Sequence, residues 1–413
     1  MTKTALVIGG GPAGLMAAEQ LVNAGLSVTI AEAKPTLGRK FLMAGKSGLN
    51  LTMDEPISAF LPHYYEACSH LDPIIRSFGP QEVKEWTEGL AQQIFVGTSG
   101  RVFPKVMKAS PLLRAWIARL LDAGATLKTN WKLTDLSLHT AQFQTPDGAT
   151  KITADVVVLA MGGASWARLG SDGTWANQFG PITPFQPANC AFAMNWSDHM
   201  SKFFGKPIKN ITLYAGDMTS RGEIIVSHNG IEGGGIYSVS RSLRTGVPLT
   251  IDLKPDWSFD RVETTLSKPR GKHSQTNHLR KILKLEPIKI ALMREVTQQL
   301  SQQAEELAKI VKFLSITTLE PRPIDEAIST AGGIPWNRLD AGLMLMDRPG
   351  IFCAGEMIDW EAPTGGYLIT ACLATGRWAG LHAAQYAQLR SSHVIYGKAA
   401  ARLNASRSRR RFV

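Results

Sequence analysis

Six residues, Gly9-Gly10-Gly11-Pro12-Ala13-Gly14, follow directly on the apolar run Ala5-Leu6-Val7-Ile8. A glycine-rich turn leaving a short buried strand is the mark of a βαβ unit that binds a dinucleotide. In this reading Gly9 makes the tight turn and Gly11 lets the backbone approach a pyrophosphate. Gly14 lets the next helix pack close to the strand. The amides of that helix's first turn, around Pro12 and Ala13, then face the phosphate charge.

A glycine turn alone is weak evidence, so its flanks carry the inference. Leu15 to Val22 read as a helix with a small apolar face of Ala17, Ala18 and Leu21. Gly25 terminates it, Leu26 to Ile30 read as the second strand, and Glu32 and Ala33 follow. Glu32 lies 18 residues beyond Gly14, near the roughly 20 expected of the carboxylate that bonds a ribose hydroxyl pair. A carboxylate there also repels a 2′-phosphate.

At 413 residues the chain is long enough for about two or three domains. Its 44% hydrophobic content supports a full core, and no apolar run approaches the roughly 18 residues that span a bilayer. The start runs straight into a strand, with no room for a signal peptide. Cys68, Cys190, Cys353 and Cys372 lack CxxC spacing. Together these point to reduced thiols in a cytoplasmic protein. The missing CxxC also excludes the dithiol relay of disulfide reductases, so redox work falls to a cofactor; no residues are assigned to a metal.

The net charge of +11 concentrates in Lys268 to Lys289 and in Arg402 to Arg411, with its Arg409-Arg410-Arg411 triplet. Such patches bind nucleic acid or anionic surfaces, and more often are solvated helix faces and a frayed terminus. A small-molecule substrate is therefore the expected partner ahead of nucleic acid, with the oligomeric state left open.

Lys34 to Pro56 form a loop dense in Gly, Lys and Ser. About Ser58 to Gly89 reads as helical, with Trp86 and Leu90 facing inward, followed by a polar hairpin about Phe95 to Phe103. Ser110 as N-cap with Pro111 in the first turn opens a helix through Leu121. Ala125 to Leu138 and Ala141 to Thr145 read as paired strands. Ala154 to Ala160 is a continuous apolar strand of the parallel-sheet kind, ending in a second glycine turn, Met161-Gly162-Gly163-Ala164-Ser165.

From about Pro184 the texture changes to alternating strands at Ile211 to Tyr214, Glu223 to Ser227 and Leu249 to Leu253. About Ser258 to Leu319 is helical and charged, with Ile282, Leu283, Leu292 and Val296 as core positions. Near Pro349 the α/β texture returns. The expected fold class is α/β: a discontinuous Rossmann-like dinucleotide-binding domain (1–183 and 325–400), an inserted β-rich domain (184–257), a helical subdomain (258–324) and a basic tail (401–413).

The returning segment changes the ligand. Gly350 to Glu356 is a strand running into a glycine turn, and Pro363-Thr364-Gly365-Gly366-Tyr367 opens a helix through Ala371, Ala374 and Ala379. A helix N-terminus offers unpaired amides and a partial positive charge. Beside the N1 and O2 edge of a flavin, that charge stabilises the anionic reduced ring. Enzymes that bind only a nicotinamide do not need this closing segment, so the dinucleotide reads as FAD.

These blocks resemble the two-dinucleotide-binding-domain flavoproteins, and within them the HI0933-like (YhiN-type) FAD-dependent oxidoreductases, over nearly the whole chain. The marks are Gly38-Arg39-Lys40 with Gly45 to Thr52, Gly162 to Ser165 with Gly170-Ser171-Asp172-Gly173, and Gly222-Glu223 to Gly235. Thr330-Ala331-Gly332-Gly333 and Ala354 to Asp359 with Thr364 to Tyr367 complete them. The resemblance implies FAD held by the Gly9 to Gly14 turn and Glu32, with Arg39 and Lys40 near the pyrophosphate or ribose. It implies the Leu133 backbone near adenine, Asn50 and Thr52 toward the flavin, Gly355 and Glu356 along the ribityl chain, and Gly366, Tyr367 and Leu368 at the pyrimidine edge. Gly45, Gly162, Gly163 and Gly365 complete the implied cofactor set.

Two departures mark a divergent subgroup. The family's Gly-Gly-Gly-Arg-Cys-Asn loop stands here as Gly45-Lys46-Ser47-Gly48-Leu49-Asn50, and its Ser-Gly-Pro as Glu232-Gly233-Gly234 after Ser227-His228-Asn229-Gly230. The catalytic candidates are Lys46, His228 and Tyr237. Lys46 would place a positive charge over the flavin, and His228 would protonate a substrate opposite the hydride. The expected function is an oxidoreductase passing electrons from transiently bound NAD(P)H through FAD to a reducible organic acceptor. A nucleic-acid-modifying flavoenzyme and a non-catalytic flavin-binding redox sensor are the alternatives.

Overall fold

A computed structural model describes residues 2–46 and 48–409, the stretch 390–409 by its backbone only. Ser47 of the flavin loop, and Arg410 and Arg411 of the basic tail, lie outside the described residues. The chain divides into two compact units, Met1–Phe185 with Ala331–Val413, and Gln186–Thr330.

The first unit is built on a five-stranded parallel sheet. Thr4–Ile8 is its centre, paired with Ser27–Glu32 on one side and Val156–Leu159 on the other. Thr126–Thr129 and Ile351–Cys353 form the two edges. Val156 to Leu159 are fully buried, as an unbroken apolar strand covered on both faces must be. The chain leaves the central strand first to one neighbour and later to the other. The topological switch point therefore lies between Thr4–Ile8 and Val156–Leu159, and both glycine turns leave carboxyl ends there. Open α/β sheets bind ligands in that crevice.

Helix Pro12–Asn23 lies against the long helix Tyr367–Arg409 at unusually close range. A Cβ on Gly376 would sit 2.2 Å from the Ala13 carbonyl oxygen, and one on Gly380 would sit 2.7 Å from that of Ala17. Small residues facing small residues let the two helices touch through their backbones. The second end of the chain is thereby fixed on the helix that follows the first glycine turn. Behind the same helix, buried Glu19 accepts bonds from Trp116 Nε1 at 2.7 Å and Arg119 Nη1 at 3.0 Å. Trp86 Nε1 joins at 3.4 Å, which explains why that tryptophan turns inward.

Two local expectations are corrected. Ala125 to Leu138 is not one strand: Thr126–Thr129 joins the parallel sheet, and Lys132–Ser137 starts an antiparallel meander with Thr140–Thr145 and Gly148–Thr153. Asn130, at φ +57°, makes the break. Ser110 is not an N-cap either. The helix is Ala109–Asp122, capped by Lys108 without a side-chain bond.

The second unit carries a seven-stranded sheet in the order Leu314–Ile316, Leu249–Asp252, Lys206–Ala215, Met218–Ser227, Gly230–Glu232, Phe192–Ala193 and Glu320–Pro321. Its strands share one core with helices Phe259–Leu266, Gln275–Ile282, Pro287–Thr297 and Ala304–Lys312. Leu283 and Leu292 are buried there, and Ile282 and Val296 pack at its margin. Lys289, counted by sequence among the surface charges, is 5% exposed. Its ammonium donates to the carbonyls of Asn210 at 2.9 Å and Leu253 at 2.8 Å, and burial lowers its pKa to about 8.

Candidate functional site

The first glycine turn separates three reasons for having no side chain. Gly9 has φ +107°, and a Cβ there would lie 2.2 Å from the Ala160 carbonyl oxygen at the start of the second turn. On Gly14 it would lie 1.9 Å from the Gly9 carbonyl oxygen. Both glycines are demanded by the protein's own packing. A Cβ on Gly11 would meet nothing within 4 Å. That empty space, at the amide end of helix Pro12–Asn23, is where a bound anion would lie.

The turn borders a cleft that opens at the carboxyl ends of the central strands. Gly9, Gly11, Pro12, Ala13, Glu32, Ala33, Arg39, Lys40, Leu133, Gly162, Gly355 and Glu356 all line it. Twelve of the cofactor-binding positions expected from sequence, scattered over the whole chain, are thus brought to one cavity.

Glu32 closes the cleft beside the turn. Its Oε2 accepts from the Gly10 N–H and its Oε1 from the Lys34 N–H, both at 2.8 Å. Burial raises its pKa, and the two amide donors with Lys34 and Arg39 oppose that rise. Lys40 reaches across the cleft. Its ammonium donates to Ser165 Oγ and to Glu356 Oε2, each at 2.8 Å, tying the short helix Arg39–Ala44, which follows the second strand where a loop was expected, to both later glycine turns. The Gly355 N–H donates to Thr375 Oγ1 at 3.0 Å and its carbonyl accepts from Trp360 Nε1 at 2.9 Å.

Two stretches of the lining lie outside the positions expected from sequence. Trp131 and Lys132 line the cleft ahead of Leu133, and the Trp131 N–H donates to the Glu32 carbonyl at 2.9 Å. Gly170, Ser171, Asp172, Thr174, Trp175 and Gln178 supply another stretch of wall. Ser171 Oγ bonds the Gly163 carbonyl at 3.1 Å and Trp175 Nε1 that of Gly162 at 2.8 Å. The Gly-Ser-Asp-Gly block was the only sequence signal for that stretch. Cys372 also lines the cleft; burial pushes its thiol pKa far up, so it stays protonated.

The start of the closing helix forms a neighbouring cluster. Gly366 has φ +98°, and a Cβ there would lie 2.4 Å from Thr52 Cα, so two backbones are in contact. Thr370 Oγ1 donates to Thr52 Oγ1 at 2.9 Å. The Tyr367 carbonyl accepts from buried Tyr64 Oη at 2.8 Å, and Tyr367 Oη donates to Glu55 at 2.7 Å. Burial, then that bond, drives the Tyr367 pKa far up. Gly365 is buried beside Met53, and Leu368 is half-buried.

Gly45 packs on Ala109, where a Cβ would lie 2.6 Å from the Ala109 Cβ, and Lys46 is exposed on the loop after it. His228 is exposed at the turn between Met218–Ser227 and Gly230–Glu232, its Nδ1 3.0 Å from Asn229 Oδ1. Tyr237 is half-buried on helix Gly234–Leu243, with its pKa raised by burial. Lys46 thus lies in the first unit, and His228 and Tyr237 in the second.

Whether these residues suit a dinucleotide can be judged from unmet polar atoms. Among the described residues, Arg39 Nε, Asn50 Oδ1 and Gln178 Oε1 are buried without a hydrogen-bond partner. A buried donor or acceptor left unpaired costs about 1–3 kcal/mol, and such groups are normally satisfied. Arg39 offers a donor and Gln178 an acceptor in a cleft with an amide-lined anion end and a carboxylate, which matches the polar chemistry of a dinucleotide. The residues fit.

The comparisons agree with this geometry. A 3-dehydro-bile acid delta(4,6)-reductase of Clostridium scindens is 24% identical over 406 residues, spanning 92% of this chain and 98% of that protein. A ribosomal RNA dihydrouridine synthase of Escherichia coli is 22% identical over 392 residues, spanning 88% and 93%. Among solved structures, the 3-ketosteroid delta1-dehydrogenase of Sterolibacterium denitrificans shares the fold at TM-score 0.50 and 12% identity, over 93% of this chain and 99% of that one. The HI0933-like protein Rossmann domain family matches residues 3–382. The chain therefore belongs to the HI0933-like family, as an FAD-dependent oxidoreductase built on a Rossmann domain.

Proposed function

We propose that the protein passes electrons from NAD(P)H, through FAD held in the cleft of the first unit, to a reducible small organic acceptor, with an electron-poor carbon–carbon double bond as the reacting group. The observation that carries this reading is the convergence of the first glycine turn, Glu32, Lys40 and Glu356 on one cleft. A relative of almost the same length that is named for reducing a bile acid supports the direction of electron flow.

FAD, when bound, supplies the two-electron chemistry. The chain's own residues do the rest. In this proposal the N–H groups of Gly11 and Ala13 take the pyrophosphate, Glu32 takes the ribose, and Arg39 and Lys40 balance negative charge. Asn50 and Thr52 with Gly365, Gly366, Tyr367 and Leu368 face the ring, where the helix dipole favours its anionic reduced form. Lys46 brings positive charge to the same end, and His228 and Tyr237 are the candidates to deliver a proton to the acceptor.

The test is anaerobic. Purified yellow protein is mixed with NADH or NADPH, and bleaching of the flavin band is followed. Bleaching by one nucleotide, then reoxidation by a conjugated enone, is the expected result. Failure of both nucleotides to bleach the flavin would redirect the proposal to substrate oxidation.

A second reading, modification of RNA, rests on one surface. Between Glu263 and Glu286 the chain carries Lys268, Arg270, Lys272, Arg280, Lys281 and Lys284 and no acidic residue, and all six are exposed. Such a surface attracts a polyanion, and one relative is named for acting on ribosomal RNA. Turnover that requires RNA, and falls steeply with salt, would favour it.

A further inference from the structure

We propose that Gln178 reads the amino edge of the cofactor's adenine, its side-chain carbonyl accepting a hydrogen bond from the exocyclic N6–H. The inference rests on the reading of the cleft as the FAD site and adds a base-selecting contact to it.

Position comes first. In a dinucleotide site the glycine turn marks the pyrophosphate and the carboxylate after the second strand marks the ribose, so the base lies beyond that carboxylate. Here Glu32 is the carboxylate. Its own carbonyl holds the Trp131 N–H at 2.9 Å, which places Trp131, Lys132 and Leu133 immediately past the ribose end of the cleft. Gln178 is fastened to that same end. Arg348 donates through Nη2 to the Gln178 carbonyl at 3.1 Å and through Nη1 to the Leu136 carbonyl at 3.3 Å. Leu136 belongs to strand Lys132–Ser137, which begins at the cleft wall. One guanidinium thus clamps Gln178 to the strand that borders the base.

Chemistry comes second. Gln178 lines the cleft, and its Oε1 is buried with no partner among the described residues. An amide oxygen is an acceptor, and the adenine N6 amine is a donor. The segment that carries this side chain is held from both sides. The short helix Thr174–Gln178 is pinned at its start by the bond from Trp175 Nε1 to the Gly162 carbonyl at 2.8 Å. At its end the Arg348 guanidinium lies over the Phe179 ring, 5.2 Å from its centroid. A pre-positioned, dry acceptor discriminates because a base without the amine leaves it unpaired.

The experiment measures binding, not turnover. The full chain is stripped of flavin, and the affinity for FAD and for flavin purine dinucleotide, which lacks the exocyclic amine, is read from flavin fluorescence. Wild type, Gln178→Met and Gln178→Glu are compared. Wild type is expected to prefer FAD by roughly three- to tenfold. Gln178→Met should lose that preference by weakening FAD to the level of the analogue, and Gln178→Glu, which still offers an acceptor, should keep it. An equal loss of both dinucleotides in Gln178→Met, or a preference that survives it, overturns the proposal. Should the Met variant fail to fold, loss of the preference in Gln178→Glu overturns it equally. Wild type that takes up neither dinucleotide overturns this proposal together with the FAD reading, which separates the two failures.

Discussion

Lys40 and Glu356 stand 316 positions apart in the chain and 2.8 Å apart in the fold. The pair is three-quarters or more buried on both sides, and Lys40 also holds Ser165. One ammonium therefore joins helix Arg39–Ala44, the second glycine turn and the segment that returns near the chain's end.

Removing one partner of a shielded ion pair strands the other charge. Lys40→Met should lower the stability of the flavin-free protein by roughly 1–3 kcal/mol, below the 3–5 kcal/mol of a fully buried pair because both groups keep some solvent. Chemical denaturation measures it. The double variant with Glu356→Gln should recover part of the loss, and strict additivity would show that the two side chains do not act as a pair.

Glu32 holds two backbone amides and offers its remaining lone pairs to a ligand. Glu32→Gln turns an amide donor toward one of those N–H groups, so FAD affinity should fall by about tenfold or more. Glu32→Arg should abolish retention through purification. Because burial raises the carboxyl pKa, wild-type affinity should begin to decline, as pH falls, above the usual carboxylate range. A variant at Glu32 that keeps its flavin unchanged would remove the ribose assignment.

Gly376 touches no ligand in this reading, yet it sets how closely two helices meet. Gly376→Val forces a side chain into a position whose first carbon is 2.2 Å from the Ala13 carbonyl oxygen. The helices must part, at a cost of about 3 kcal/mol or more. Melting temperature and flavin content should fall together, since Ala13 lines the cleft. A variant with a normal melting curve would mean that the helices are freer than their backbone contact implies.

The buried Lys289 makes a pH prediction. Its pKa is about 8 in the fold and 10.5 as the ordinary value, so between those pH values the unfolded chain carries a proton that the folded one has released. Stability must rise with pH across that window. The wild type should gain on Lys289→Met by on the order of 2–3 kcal/mol between pH 8 and 10.5, read as the difference between two denaturation series. A flat difference would show that the ammonium is solvated.

Part of this protein is legible without its fold. The strand–turn–helix at Ala5 to Val22 announces itself because its constraints are local. A Cβ on Gly14 would clash with the Gly9 carbonyl only five residues away, and the spacing to Glu32 is set by one helix and one strand. The unbroken run Val156–Leu159 likewise needs only its own composition to say that both faces are covered. The sequence reading of Ala125 to Leu138 failed for the opposite reason. Both of its halves favour β structure, and only the reversal at Asn130 sends them to different sheets. Lys289 failed similarly: a lysine in a charged run reads as surface until two carbonyls from distant strands close over it.

The sequence by itself determined the ligand class, through residues whose roles depend on near neighbours. Tertiary structure decided which distant residues meet at the cleft: Lys40 with Glu356, Trp131 with Glu32, and Gln178, through Arg348, with strand Lys132–Ser137. Those contacts depend on strand order and on the helix contact at Gly376 and Gly380, which are long-range packing choices. No local periodicity encodes them, because each is stabilised only once the remote partner is in place.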